Sequence, residues 1–281
     1  MRTDFAVFIL SHGRADNVIT WATLDKCGYT GKRYVVIDNE DEQGDEYAKR
    51  YGDAVLVFDK REVEKTFDTF DNRDERRTVV FARNACFDLA KSVGVKYFLE
   101  LDDDYTDFQY RWVKDRHLLV KRIDDLNGLF DQMIQFLETS GALTVALSQG
   151  GDFVGGVNNS RIGKELLRKA MNSFFCTVER PFQFLGRINE DVNTYTLLGS
   201  RGGLFLSVVR AMLLQKQTQA NSGGMTDCYI NTGTYTKSFY TVIGMPSAVK
   251  VQILEANHRR IHHMVYWNHC VPEILSERWK K

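Results

Sequence analysis

Four short apolar runs, separated by longer stretches with helical spacing, dominate the first hundred residues of this chain. Each run is too short for a helix and is continuous, a pattern typical of strands buried on both faces of a parallel sheet. The runs are residues 5–10, 34–37, 54–58 and 97–101. The intervening helical segments end at Gly28, Gly52 and Gly94. This order of strands and helices predicts an α/β fold with a mostly parallel, doubly wound sheet.

The boundaries of these helices can also be predicted. Asp16 or Asn17 is expected to cap the first helix, and Thr78 the helix that ends at Gly94. In the latter helix, the inward positions are expected to be Ala82, Cys86, Leu89 and Val93. Residues 59–76 are charged and show little periodicity, so we expect a mobile surface loop there.

The second half has a different pattern, which predicts a mixed sheet. Residues 126–137 form an amphipathic pattern that ends at Gly141, and 144–148 and 173–177 resemble strands. A glycine-rich loop, residues 149–156, lies between those two strands, and a helix or strand is expected after residue 191. Residues 235–243 alternate like an antiparallel strand. No clean boundary interrupts the chain, so we expect one domain over residues 1–281.

Composition excludes several classes of protein. Lys+Arg and Asp+Glu both number 37, which disfavours a protein that coats nucleic acid through bulk positive charge but leaves room for a local basic groove. No apolar run is long enough to span a membrane, and the acidic Asp4 before the first strand does not fit a signal peptide. The five cysteines lack a CxxC pair and are expected to be free thiols. We therefore expect a cytoplasmic protein.

Polar residues follow three of the four apolar runs. These loops are residues 11–14 (Ser-His-Gly-Arg), 38–39 (Asp-Asn) and 102–104 (Asp-Asp-Asp). Ligands of doubly wound sheets bind beyond the carboxyl ends of the strands, so the three loops are expected to converge on one crevice.

The triple aspartate is the most specific of these features. Three successive carboxylates repel one another unless something neutralises them, although a solvated turn would also explain a run of aspartates. A hard divalent cation such as Mg²⁺ or Mn²⁺ takes carboxylate oxygens and commonly bridges them to substrate phosphates. The position at the end of a buried strand favours such a cation site, set against a diphosphate.

The sequence around Asp102–Asp104 resembles the DxD motif of GT-A glycosyltransferases, which bind a nucleotide-sugar diphosphate through a divalent metal. Several segments together resemble, more narrowly, the TET-associated glycosyltransferases of tailed phages, a family that modifies 5-hydroxymethylpyrimidines in DNA. The segments are 11–14, 82–84 (Ala-Arg-Asn), 102–104, 150–153 (Gly-Gly-Asp-Phe), 189–194 (Asn-Glu-Asp-Val-Asn-Thr) and 261–263 (Ile-His-His). The resemblance runs from about residue 5 to about residue 275.

This resemblance implies a GT-A-like, Rossmann-type mixed sheet flanked by helices. It also divides the single domain into a nucleotide-sugar-binding half, about 1–105, and an elaborated acceptor-binding half, about 106–281. The implied reaction moves a sugar from a nucleotide-sugar, a UDP-sugar in the first instance, to 5-hydroxymethylcytosine in double-stranded phage DNA, in the host cytoplasm. The implied cofactor is Mn²⁺ or Mg²⁺, and neither a membrane nor an obligate protein partner is expected.

The same resemblance assigns the donor-side residues. Asp38 would hydrogen-bond the base or ribose, Arg14 would meet the diphosphate, and Asp104 would bind the metal directly. Asp102 would contact the ribose or the metal. The full set implied for the donor is Ser11, His12, Gly13, Arg14, Asp38, Arg83, Asn84, Asp102 and Asp103. Arg83 would equally fit an ordinary ion pair on a helix surface, and residues 11–13 a helix-entry turn.

In GT-A enzymes a C-terminal histidine often completes the metal site, which here implicates His262 or His263. Adjacent residues on an extended chain point to opposite faces, so at most one of the two is expected to reach the metal. Two oxygen ligands and one imidazole suit Mn²⁺ better than Ca²⁺.

The candidate catalytic base lies in the segment that starts at Asn189. Transfer with inversion requires a base for the acceptor hydroxyl, and we expect Asp191 in that role with Glu190 as its partner. A helix N-cap at Asn189 or Asp191 is the alternative, and a retaining reaction would need neither carboxylate as a base.

For the acceptor, the glycine-rich loop implicates Gly151, Asp152 and Phe153. A hydroxymethylated base in duplex DNA would have to be flipped out to reach the sugar. The side chains that would line a DNA groove are the basic clusters Arg73/Arg76/Arg77, Lys164/Arg168/Lys169 and Arg259/Arg260, and the aromatic residues Tyr110, Trp112, Phe153 and Trp267.

Three other functions fit parts of the pattern. One is a GT-A glycosyltransferase with a polysaccharide, lipid or protein acceptor; another is a nucleotidyltransferase of similar fold. The third is a sugar- or nucleic-acid-binding module in which Asp102–Asp104 is only a turn. Nucleoside triphosphate hydrolysis is rejected, because the loop at 150–156 lacks the strand-to-helix context and the Lys-Ser/Thr end of a P-loop.

Overall fold

The fold was obtained as a computed structural model that describes residues 2–74, 76–159, 164–215, 225–255 and 259–272, without the side chains of 225–234. The strands are β1 (Phe5–Leu10), β2 (Lys32–Asp38), β3 (Val55–Phe58), β4 (Tyr97–Asp102), β5 (Tyr105–Lys114), β6 (His117–Arg122), β7 (Thr144–Ser148), β8 (Leu166–Leu167), β9 (Ser173–Thr177), β10 (Phe205–Gln215), β11 (Val249–Glu255) and β12 (Arg259–Val265). The helices are α1 (Ile19–Lys26), α2 (Gly44–Tyr51), α3 (Lys60–Glu64), α4 (Val80–Ser92), α5 (Leu126–Ser140), α6 (Glu190–Ser200) and α7 (Met225–Gly244).

One mixed sheet contains strands from both halves of the chain. Its order is β3-β2-β1-β4-β9-β7-β10-β5-β6, with β8 added beside β10. The first four strands are parallel to one another, whereas β9 runs antiparallel to β4 and to β7. A separate two-stranded sheet pairs β11 with β12. The carboxyl ends of β1, β2 and β4 therefore lie side by side at one edge.

Helices cover both faces of this sheet, which explains why its central strands are mostly apolar; the buried Glu100 of β4 is an exception. Along β1, Phe5, Val7 and Ile9 pack into the core beneath α1 and α5. The alternate residues Ala6, Phe8 and Leu10 pack into a second core beneath α4 and α6. Because successive strand residues point to opposite faces, both sets must be apolar.

The predicted α/β fold with a mixed, mostly parallel N-terminal sheet is confirmed. All four runs of the first half are strands, and residues 144–148 and 173–177 are strands as predicted. Helix α5 covers the predicted amphipathic segment, and α6 follows the start of the 189–191 segment. Among the described residues, none of the helices is both long and apolar enough to cross a membrane.

Residues 235–243 were predicted wrongly as a strand: they belong to α7. Tyr235, Phe239 and Ile243 are exposed at four-residue spacing, while Tyr240 and Thr241 are buried. Contacts of α7 with α6 and with the β11–β12 pair favour the helix over the local β-propensity of its tyrosine and threonine residues. The neighbouring polar stretch of residues 216–224 lies outside the described residues.

The expected loop over 59–76 contains a short helix, α3, and the expected caps were wrong. Asp59 caps α3 by accepting hydrogen bonds from the backbone N–H groups of Arg61 (2.9 Å) and Glu62 (3.1 Å). Helix α1 begins after Val18, and α4 after Val79, neither with a side-chain cap. Strands β5, β6, β8, β10, β11 and β12 were not predicted. In β5 and β6 the reason is visible: most residues are only half-buried or exposed, so the apolar signal is weak.

Candidate functional site

The acidic turn, residues 102–104, joins β4 to β5 and is hydrogen-bonded to the start of α1. The Thr20 hydroxyl donates a hydrogen bond to the backbone oxygen of Asp102 (2.6 Å) and accepts one from the backbone N–H of Tyr105 (3.0 Å). The Thr20 backbone N–H donates to the backbone oxygen of Asp103 (3.0 Å). Both sides of the turn are thereby fixed to α1.

Asp103, the middle carboxylate, connects the acidic turn with the loop after β1. It is 4% exposed and accepts hydrogen bonds from the Ser11 hydroxyl (2.7 Å) and from Nη1 of Arg14 (3.0 Å). Burial raises the pKa of Asp103. Ser11 and Arg14 are thus brought to the acidic turn as predicted, but their side chains contact Asp103.

Gly13 shapes the same loop. Its φ of +65° lies in the left-handed region, and its backbone N–H donates to the Asp41 carboxylate over 2.8 Å. The loop therefore closes against the residues that follow β2.

The outer two carboxylates differ in how well they are paired. Asp102 accepts hydrogen bonds from Nη2 of Arg83 (3.1 Å) and from the Tyr105 hydroxyl (3.2 Å). Asp104 accepts only a long one, from Gln215 (3.4 Å) through Oδ2, and its buried Oδ1 has no partner. Burial, followed by the charges of Asp102 and Asp103, raises the pKa of Asp104 to about 6. Among the three aspartates of the turn, Asp104 is the one with a buried oxygen that has no hydrogen-bond partner.

This arrangement fits a divalent cation on the carboxylate side. A cation at Asp104 and Asp102 would relieve the repulsion that raises the pKa of Asp104. Among the described residues, no cluster of three or more His, Cys, Asp or Glu side chains could hold a metal ion. Magnesium-type sites commonly use one or two carboxylates, with substrate phosphates and water completing the shell.

A second cluster, at the end of β2, is centred on Asp38. Its carboxylate lies 2.8 Å from Nδ1 of His12 and 2.9 Å from Nζ of Lys60, and it accepts from the backbone N–H of Glu40 (3.0 Å). Burial raises the pKa of Asp38, but the bonds from His12 and Lys60 outweigh it, so the pKa is lowered overall. The Asp38 contact raises the pKa of His12.

Lys60 is a site residue that the sequence did not identify. It was placed in the expected surface loop, yet it is 4% exposed and ion-paired with Asp38. The available signal was Asp59, a residue favoured at helix N-caps, directly after β3. A helix starting there carries Lys60 inward toward the end of β2.

Arg83 connects the acidic turn with α6. Its side chain lies in α4, is 1% exposed, and places Nη2 3.1 Å from Asp102 and Nε 3.0 Å from Oε1 of Glu190. Nη1 lies 3.7 Å from the fully buried Glu100. Burial opposes the charge, but these three carboxylates outweigh it and raise the pKa of Arg83. Arg83 is therefore not an ordinary surface ion pair, and its predicted contact with the donor stays a prediction.

Asn84, the other predicted donor residue of α4, faces a backbone segment. Its Nδ2 donates to the backbone oxygen of Phe184 (3.0 Å), and its Oδ1 accepts from the backbone N–H of the same residue (2.8 Å). The amide therefore holds the chain before α6 in place.

The start of α6 places Asp191 next to Glu190 in a buried setting. Asp191 is 8% exposed and accepts from the backbone N–H of Val192 (2.7 Å). Burial, followed by the charge of Glu190, raises the pKa of Asp191 to about 7. Asn189 occupies the N-cap position with φ +56° but makes no side-chain cap; its Nδ2 donates to the Lys237 backbone oxygen (2.7 Å).

The two predicted histidines lie on β12, which packs against α7. Their ring centroids are 4.2 Å apart, so the expected separation onto opposite faces is not seen. A two-stranded ribbon can twist strongly, and the rings can then turn toward each other. Burial, then the charges of His262 and Lys237, lowers the pKa of His263 to about 3, and its Nδ1 is buried without a partner. His263 is therefore neutral, as a metal ligand must be, although its place in a metal site stays a prediction.

Asp152 and Phe153 of the glycine-rich loop make contacts within the protein. Asp152 is 2% exposed, accepts from the backbone N–H of Gln149 (3.1 Å) and pairs with Lys169. Gly151 is exposed, whereas Phe153 is buried with the guanidinium of Arg111 5.0 Å from its ring centroid. Of these three predicted acceptor residues, only Gly151 is exposed to solvent.

The predicted basic clusters are partly engaged within the protein. Arg76 lies within ion-pair distance of Glu40 (3.3 Å), and Arg168 donates to the backbone oxygen of Cys270 (3.0 Å). The aromatic ring of Trp267 stacks on Tyr195 at 5.6 Å.

The family model for TET-associated glycosyltransferases matches residues 5–224 of this chain. The chain belongs to this family. As a TET-associated glycosyltransferase it is an enzyme, and the match contains the acidic turn, Arg83 and the start of α6. The nucleotidyltransferase and the non-enzymatic binding module are thereby excluded. No curated protein sequence matches the chain.

Solved structures resemble this TET-associated glycosyltransferase only distantly. Glucosyl-3-phosphoglycerate synthase from Mycobacterium tuberculosis, in complex with Mg²⁺ and uridine diphosphate, matches with a TM-score of 0.45 and 11% identity over 93% of this chain and 87% of that chain. GalNAc-T7 with UDP, GalNAc and Mn²⁺ matches with a TM-score of 0.38 and 12% identity over 80% and 47%. S. aureus TarS 1-349 matches with 0.35 and 10% identity over 76% and 58%. The family assignment rests on the family model.

Proposed function

We propose that this glycosyltransferase is a metal-dependent enzyme of the GT-A type that moves a sugar from a UDP-sugar to the hydroxymethyl group of 5-hydroxymethylcytosine in phage DNA. The family membership supports the transfer of a sugar. The observation that carries the donor side is Asp104, whose Oδ1 is buried without a hydrogen-bond partner and whose pKa is raised by burial and by the charges of Asp102 and Asp103.

On the donor side, Asp104 and Asp102 would hold a divalent cation, and the cation supplies charge neutralisation for the diphosphate that leaves. Arg83 orients the Asp102 carboxylate through the 3.1 Å hydrogen bond from its Nη2. The Asp38 cluster lies at the end of the neighbouring β2, where an acceptor carboxylate suits an N–H or hydroxyl of the nucleoside.

On the acceptor side, Asp191 is the proposed general base for an inverting transfer. Its carboxylate accepts the proton of the hydroxymethyl group while that oxygen bonds to the anomeric carbon, and the bond from that carbon to the diphosphate oxygen breaks. A pKa near 7 is well matched to this task, because a base works best when its pKa lies near the working pH. Glu190, which accepts a hydrogen bond from Nε of Arg83, supplies negative charge that helps to raise the pKa of Asp191.

The family membership supports the proposed acceptor, and a transfer assay tests it. Duplexes with hydroxymethylcytosine, hydroxymethyluracil or cytosine are offered together with a panel of UDP-sugars and Mn²⁺. We expect label on the hydroxymethylcytosine duplex and none on the cytosine duplex. Label on neither hydroxymethylated duplex, in an enzyme that hydrolyses or binds UDP-sugar, would assign the acceptor to another class of molecule. The outcome also tests Asp191, because Asp191→Asn is the matched inactive control.

A further inference from the structure

A cavity of about 480 Å³ lies between β5, β6, β10 and the glycine-rich loop, at a distance from the acidic turn. Its lining includes Arg111 and Phe153, and the apolar side chains of Val113, Leu118, Val157 and Val209 contribute to its walls. All of these residues belong to the half of the chain that follows the acidic turn.

The position of this cavity relative to the acidic turn follows from two strands. Tyr105 begins β5 directly after Asp104, and Arg111 is six residues further along the same strand. At about 3.3 Å per residue, the cavity lies about 20 Å from the turn. Strand β10 runs beside β5 over most of this stretch: Gln215 pairs with Tyr105 at one end, and Ala211 pairs with Tyr110 near the other. The cavity is therefore a second site, outside the site of the triple aspartate.

Within the part of the chain that the structure describes, no carboxylate lies within ion-pair distance of Arg111. Its Nε is buried without a hydrogen-bond partner. Its Nη2 donates a hydrogen bond to Oε1 of Gln109 (3.2 Å), and its guanidinium lies over the ring of Phe153. By contrast, the other arginine of the lining, Arg210, is paired with Glu165 at 2.6 Å. Burial lowers the pKa of Arg111, which means that it destabilises the charged guanidinium. A bound anion would stabilise that charge.

The chemistry of the lining selects a class of ligand. A planar guanidinium with free N–H groups binds a phosphate with two parallel hydrogen bonds. The apolar walls of Val113, Leu118 and Val209 suit the sugar or base that a nucleotide attaches to that phosphate. An isolated inorganic anion would leave these walls without contact.

We propose that this cavity binds one nucleotide of the acceptor strand, through its phosphate at Arg111, about 20 Å from the base that receives the sugar. The inference rests on the proposed DNA acceptor. The contact at Arg111 would position the DNA strand while the reacting base lies near the acidic turn, because phosphate contacts set the register and orientation of a protein on a nucleic acid.

The direct test measures binding of deoxycytidine 5′-monophosphate in the presence of saturating UDP and Mn²⁺, so that the donor site is occupied. Arg111→Met removes the cation, and Val157→Trp fills the cavity without touching Arg111. We expect each variant to weaken binding at least tenfold. Arg116→Met is the matched control: Arg116 is exposed at the β5–β6 turn, and we expect less than a twofold change. Thermal unfolding of all three variants checks that they fold.

The second arm uses a 20-base-pair duplex with a central hydroxymethylcytosine. Arg111→Met should weaken duplex binding about tenfold and reduce the slope of log K against log salt by about 1, as expected for one lost phosphate contact. The KM for UDP-sugar should stay unchanged, because Arg111 lies outside the donor site.

The proposal is overturned if deoxycytidine monophosphate binds Arg111→Met and Val157→Trp as it binds the unmodified enzyme. It is also overturned if inorganic phosphate binds as tightly as the nucleotide. Normal duplex binding by Arg111→Met together with sugar transfer to DNA removes the cavity site and leaves the proposed function standing. Nucleotide binding at the cavity without any transfer to DNA would instead retire the DNA acceptor.

Discussion

Arg83 donates from Nη2 to Oδ1 of Asp102 over 3.1 Å, and the same guanidinium donates from Nε to Glu190 over 3.0 Å. One buried side chain thereby joins the acidic turn after β4 with the start of α6. In the sequence, 87 residues lie between Asp102 and Glu190. We infer that the donor side and the candidate base form one rigid unit.

Removal of this connection is expected to cost stability. Arg83→Met leaves Asp102, Glu190 and Glu100 without their buried partner, so the free energy of unfolding should fall by about 3–5 kcal/mol. Urea unfolding measures it. Arg50→Met is the control, because Arg50 pairs with Glu46 at the exposed surface and its loss should leave the midpoint almost unchanged. Equal midpoints for the two variants would contradict the role of Arg83.

Asp104→Asn should reduce sugar transfer at least about a hundredfold, because the carboxylate charge that neutralises the cation is lost while the shape is kept. Chelation of divalent ions should have the same effect on the unmodified enzyme, and Mn²⁺ or Mg²⁺ should restore turnover. Asp16→Asn changes an exposed carboxylate on the neighbouring loop and serves as control. Full turnover of Asp104→Asn, or full turnover with chelator, would rule out the metal mechanism.

Asp191 should govern the pH dependence of transfer. A base works in its ionised form, and its pKa is raised to about 7, so kcat should rise with pH through that value and level off above it. Asp191→Asn should lower kcat by about 10²–10⁴ and leave the donor affinity intact. The same shift makes folding less favourable as pH rises from the ordinary aspartate range toward 7, because the folded state holds the proton more tightly. An acid limb that persists in a partly active Asp191→Asn enzyme would assign the base elsewhere.

His263 should make the fold sensitive to acid. The pKa of His263 in the folded state, about 3, lies below the ordinary 6.5. Between these two pH values the unfolded chain binds a proton at His263 that the folded chain does not bind. Stability is therefore lost as pH falls from about 6.5 toward 3. His263→Leu should flatten this loss in urea unfolding between pH 7 and pH 4. His117→Leu, at an exposed position, should leave the slope unchanged; a similar flattening there would contradict the assignment.

The N-terminal half was predictable because burial on two faces leaves an unmistakable sequence pattern. Strands β1, β2 and β4 each carry a run of buried, mostly apolar residues that face both sides of the sheet, and the rule for parallel sheets then places Ser11, Asp38 and Asp103 at one edge. The structure brings Ser11 into contact with Asp103, which agrees with that convergence.

The partners of these residues were not predictable. Lys60 reaches Asp38 only because α3 forms, and Gln215 reaches Asp104 only because β10 pairs with β5 across more than a hundred residues of sequence. Arg14 and Arg83 carry charge that the sequence assigns equally well to a substrate or to a carboxylate of the protein. Such choices depend on distances in the folded chain, and no local pattern encodes them.

The long strand β10 sets a length scale for the acceptor. Gln215 near its end contacts Asp104, and Val209 lines the distant cavity, so a strand of DNA that touches both must extend about 20 Å. At about 3.4 Å per nucleotide along one strand, this span corresponds to about six nucleotides. Oligonucleotides shorter than that would reach the reaction centre but lose the distant anchor, and turnover plotted against substrate length should show a step at that size.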